Sequence, residues 1–105
     1  MSAAAQRTIE KIEADIEFAR SVYLAADANV NTAASARLAA SIVANKTLAT
    51  ANAYNGNTAD VDACFVANIA AEKSFDAWHA AYDAVEIASI RLGALCDELA
   101  ALRSR

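Results

Sequence analysis

The 105-residue chain has a single histidine, His79, and it stands among carboxylates. Glu72, Asp76, His79, Asp83 and Glu86 follow one another in steps of four, three, four and three. That spacing stacks side chains along one side of a helix. An imidazole set between carboxylates is what an acid–base pair or a mononuclear metal site would use. The neighbouring residues argue against both. The face shared by Asp76, His79 and Asp83 is centred about 100° or more around the helix axis from the side of Phe75, Trp78, Tyr82 and Val85, the apolar side that should turn inward. A site on the opposite side would be open to water, whereas functional groups are usually tuned by burial or a cleft. The stretch reads as the solvated face of a helix.

Other chemistries fail on their inventories. A di-iron centre in a bundle needs Glu-x-x-His on two helices and a glutamate on each of two more. One histidine, and no acid at all between positions 31 and 58, cannot supply it. Cys64 and Cys96 are 32 residues apart, with no Cys-x-x-Cys pair, so structural zinc and thioredoxin-type redox chemistry lack ligands. They read as small apolar residues on helix faces. No serine or threonine has a recognisable histidine–acid relay, and no glycine-rich loop could hold phosphate. The sequence predicts no enzyme, no metal and no cofactor.

Polar residues on apolar stripes are the remaining candidates. Asn45, Asn52 and Asn68 fall on stripes predicted to face the core, with Asn45 opposite Asn68. A buried asparagine penalises wrong registers by leaving an amide unsatisfied, and this reading is preferred to a polar ligand pocket because alanines leave little room. Phe65, Phe75, Trp78 and Tyr82 recur at helical spacing and read as core. Phe18 and Val22 widen the apolar arc of the first helix.

The elements that must carry these residues are helical. Thirty residues are alanine, there is no proline, and the two glycines are Gly56 and Gly93. Alanine is the best helix former and proline the worst. One stripe is Ile9, Ile12, Ile16, Ala19, Tyr23, Ala26 and Val30; a second is Leu38, Ile42, Asn45, Ala49 and Asn52. Val61, Cys64, Asn68, Ala71, Phe75 and Trp78 make a third, and Val85, Ala88, Leu92, Leu95, Leu99 and Leu102 a fourth. Successive stripes mirror about 30.5, 56.5 and 81.5, as antiparallel neighbours would. Each midpoint has a local signal: "NVNT" with Asn31 or Thr32 as N-cap, "YNGNTAD" with Gly56, and "DAVE" with capping-box spacing between Asp83 and Glu86.

The expected fold is therefore an all-α, alanine-rich, compact up-down-up-down four-helix bundle, one domain over 1–105 with helices near 4–29, 32–54, 59–79 and 83–103. The third turn is its weak point, since "HAAYDA" contains neither glycine nor proline. The alternative is a long α-hairpin that dimerises to bury its stripes.

Charge and hydropathy bound the partners. The net charge is −4. Residues 31–58 carry only Arg37 and Lys46, while 59–105 carry eight acids against four bases. No basic stripe is present, which argues against direct nucleic-acid binding. Charges in "MSAAAQRTIEKIEADIE" occupy the place of a signal peptide's apolar stretch, and no uncharged run reaches the ~18 residues of a membrane span. The sequence thus predicts a soluble cytoplasmic protein. Its expected function is a non-enzymatic protein-interaction module (an adaptor, inhibitor or immunity-type protein), with a phage-type inhibitor of nucleic-acid machinery as one form. The expected contact strip is Glu72, Asp76, His79, Asp83, Ile87 and Ile90, meeting a partner with a basic surface. A small-ligand or metal-binding bundle and a structural homodimerisation unit are the alternatives.

Overall fold

The computed structural model describes residues 2–53 and 57–104, without the side chains of 52 and 53. Two helices account for them: α1, Ala3–Ala53, and α2, Thr58–Arg103. The four-helix expectation is thereby overturned. Neither α1 near 30–31 nor α2 through 76–84 is interrupted. Asn29, Asn31 and Thr32 are weak helix formers, but each costs only about 0.7 kcal/mol relative to alanine. The segment 79–83 has no breaker at all.

Both real helix starts carry side-chain caps. Ala5 donates its backbone N–H to Ser2 Oγ at 3.1 Å, and Asp60 donates its own to Asn57 Oδ1 at 2.9 Å. Each cap satisfies an amide that the first turn leaves without a partner. Asp60 also places its charge where the helix dipole favours it. Gly56, expected to turn the chain with positive φ, lies outside the described residues.

By its internal contacts the chain divides into two units, each built from one segment of each helix. Unit 1 is Met1–Ala28 with Tyr82–Arg105, and unit 2 is Asn29–Ala81. In unit 1 the start of α1 runs against the end of α2. Ile16 and Leu99 share a groove there with Glu13 and Arg103, whose side chains are 3.5 Å apart. Ile16 therefore does not face Asn45, as mirroring about 30.5 required. Unit 2 is an antiparallel hairpin around the link between the helices. Leu48 and Ala51 line a groove with Val61, Cys64 and Asn68, in keeping with the mirror about 56.5.

The inward residues follow a strict heptad on each helix. On α1 they are Ile9, Ile16, Tyr23, Val30, Arg37, Ala44 and Ala51 at one position, a, and Ala5, Ile12, Ala19, Ala26, Ala33, Ala40 and Thr47 at the other, d. On α2 the a residues are Cys64, Ala71, Trp78, Val85, Leu92 and Leu99, and the d residues are Asp60, Ala67, Ser74, Ala81, Ala88, Leu95 and Leu102. All are buried or half-buried. A period of 3.5 keeps one seam facing a partner helix, and alanines at d let the axes come close. Thr47 fits the seam because its hydroxyl donates back to the carbonyls of Val43 and Ala44 at 3.1 and 3.0 Å.

The first and fourth predicted stripes are this seam. The second and third are not. Leu38, Ile42, Asn45 and Ala49 are exposed, as are Val61, Asn68 and Phe75, and of the third stripe only Cys64, Ala71 and Trp78 face inward.

Candidate functional site

Each residue of the expected contact strip is on α2 and exposed. In unit 1, Asp83 and Ile90 stand at f, the position most directly opposed to the seam, and Ile87 stands beside them at c. Their side chains reach water because the seam of this unit is already filled by Ile9, Ile12, Ile16 and the leucines of α2. Ile87 is 68% exposed and Ile90 66%. Asp97 continues the same f line.

In unit 2, Asp76 takes f, while Glu72 and His79 take b. His79 is exposed, yet its ring is not idle. It meets the Phe75 ring edge-on at 4.5 Å and the Trp78 ring at 5.2 Å. Arg37, from the facing helix, lays its guanidinium over Trp78 at 4.5 Å and over Phe75 at 5.1 Å. This puts a cation on two π-faces at the seam of the hairpin, an arrangement that favours arginine over lysine. Arg37, Glu72, Phe75 and Asp76 also border an open groove of about 370 Å³. Among the described residues, no three of His, Cys, Asp and Glu gather as a metal ion would require. The chemistry available here is aromatic and cationic packing.

Arg37 is the functional-looking residue that sequence reasoning missed. In the sequence it stands out only as one of two charges in a stretch that otherwise lacks them. The signal was the step of seven from Ile9 through Ile16, Tyr23 and Val30, which continues to 37 once no turn is placed at 30.5.

Asn45 and Asn68 do not occupy the seam. They stand exposed at b and e, and Asn68 Nδ2 donates to Cys64 Sγ at 3.7 Å. The side chain of Asn52 lies outside the described residues. Cys64 is closed into the unit 2 seam, Cys96 is exposed in unit 1, and both are free thiols. No described helix is long and apolar enough to cross a membrane.

Comparison with protein-family models, with curated proteins and with solved structures gave no match to this chain.

Proposed function

We propose that the protein is a non-enzymatic protein-interaction module that acts by covering part of a partner protein. The observation that carries this is the exposure of Ile87 and Ile90 on the outer side of α2 in unit 1, beside Asp83 and Asp97. Unit 1 has no packing need for two isoleucines there. Burying each in a partner groove would contribute about 1.5–3 kcal/mol, with the aspartates meeting basic residues at the rim. Acidic side chains around an apolar centre speed encounter with a basic surface more than they add affinity. A phage-type inhibitor of nucleic-acid machinery is one form of this reading, because such machinery presents basic surfaces. A reducing, cytoplasmic setting belongs to it as well and suits the two thiols.

The test is co-purification from the native host with the wild type and with an Ile87→Ser/Ile90→Ser variant that keeps its helix content. A protein retained in stoichiometric amount by the wild type and lost by the variant is expected. Equal retention by both, or recovery of the chain alone, overturns the proposal.

A further inference from the structure

We propose that unit 2 pairs with a second copy of this chain through the side of its hairpin formed by the e and b positions. This goes beyond the partner reading above and uses different residues.

In an antiparallel helix pair, the e positions of the two helices flank the seam on the same side. The grooves bear this out, since Leu48 opens onto Val61, Phe65 and Asn68 on this side, while Lys46 and Thr50 meet Ala63 on the other. Leu38, Leu48, Val61, Phe65 and Phe75 all stand at e or b, with exposures from 41% for Phe75 to 67% for Phe65. At roughly 200 Å² for a large side chain in full exposure, the five present on the order of 500 Å² of apolar surface. A stable dimer buries about 800 Å² per copy, some 65% of it apolar. The apolar area here is what one such face needs, and Ser41, Asn45 and Asn68 supply polar area among it.

Three features select a second copy as the occupant. First, unit 2 is thin. Its buried side chains are Ala44, Ala51, Cys64, Ala67 and Ala81, joined by half-buried Val30 and Trp78, too little apolar volume to offset the ordering of two helices without another layer. A second copy is at hand whenever the chain folds, whereas a foreign partner is not. Second, the face suits itself electrostatically. Among the described residues, Glu72 is the one formal charge at the e and b positions of unit 2, so a two-fold contact brings few like charges together. A charged partner would find little to recognise. Third, Asn45 and Asn68 each donate and accept, so each can pair with its own kind across a two-fold axis.

The experiment measures the mass of the purified chain at micromolar concentration by sedimentation equilibrium, alongside photo-crosslinking. Benzoylphenylalanine is placed at Phe65 or, as a control in unit 1, at Phe18. Light and isotope-labelled copies are mixed, so that links between copies carry both labels. We expect twice the chain mass of 11.0 kDa, with mixed-label links from Phe65 to unit 2 peptides and none from Phe18. A Leu48→Ser/Phe65→Ser variant should lose at least tenfold in self-affinity. Because that variant could also lose its helices, the crosslinks on an otherwise intact chain decide the matter independently. A single-chain mass, any assembly other than a dimer, links from Phe18 in place of Phe65, or an unweakened double variant overturns the proposal. A monomer that acquires cover on this face only from another protein also overturns it, and leaves the partner reading at Ile87 and Ile90 standing.

Discussion

Units 1 and 2 share one heptad but fill it in opposite ways. Unit 1 puts its bulk inside: Ile9, Ile12 and Ile16 are buried against half-buried Val85, Leu92, Leu95, Leu99 and Leu102. Its e and b positions on α1 carry Glu10, Glu13, Glu17, Arg20 and Asp27, with Leu24 the exposed large apolar residue among them. The ion pairs Lys11–Asp15, Glu17–Arg20 and Glu13–Arg103 dress the outside of this unit, although exposed pairs of this kind add little stability. Unit 2 puts mostly alanine, serine and threonine inside, with Cys64 and half-buried Val30, Arg37 and Trp78 its larger seam residues, and leaves leucine, valine and phenylalanine out. A seam of small residues specifies close approach but buries little area. The position of a helix pair and the strength of that pair are thus encoded separately. Periodicity sets the first, and side-chain volume on the seam sets the second.

Substitutions in the two seams should expose the difference, the largest effect coming first. Ile12→Ala removes a side chain only 6% exposed and should cost about 2–4 kcal/mol in urea unfolding followed by circular dichroism. A loss below about 1 kcal/mol would mean that unit 1 lacks a real core. In unit 2 the sensitive change runs the other way. Ala67→Leu forces bulk between closely spaced helices and should cost about 1–3 kcal/mol; stabilisation would show that the seam has room. Arg37→Ala removes the cation over Trp78 and Phe75 and should cost about 1 kcal/mol, with Arg37→Lys restoring only part of it. Full recovery with lysine would show that charge alone matters. His79→Ala should change stability by no more than about 0.5 kcal/mol, because only edge contacts on an exposed ring are lost. It should also leave metal content unchanged, as measured by elemental analysis.

How much of this was legible in the sequence follows the same division. The unit 1 stripes could be read because branched aliphatics occupy the seam itself, so hydrophobicity and burial coincide. In unit 2 they separate. Leu38 and Asn45 stand one residue past the seam residues Arg37 and Ala44, and Ile42 and Ala49 two past Ala40 and Thr47, so the large side chains draw a stripe beside a seam of small ones. The same slip made Asn45 and Asn68 into core residues. Val61 and Phe75 drew the third stripe off Asp60 and Ser74, while Cys64, Ala71 and Trp78 still marked the correct line. The break between α1, ending at Ala53, and α2, starting at Thr58, was readable from the glycine and asparagines between them. The turns expected at 30.5 and 81.5 rest on residues that merely favour helix ends, and a seam continuing in phase on both sides outweighs such preferences. The wet setting of His79 was legible, but its contacts with Phe75 and Trp78 were not.

If a second copy covers the e and b face of unit 2, that unit depends on association while unit 1 holds together through its own seam. Native-state hydrogen exchange, read by mass spectrometry across a dilution series, separates the two units. Protection of amides in 34–50 and 61–77 should fall as the protein is diluted, while protection in 9–26 and 85–102 changes far less. Equal protection of both units at every concentration would show that unit 2 stands without a second copy.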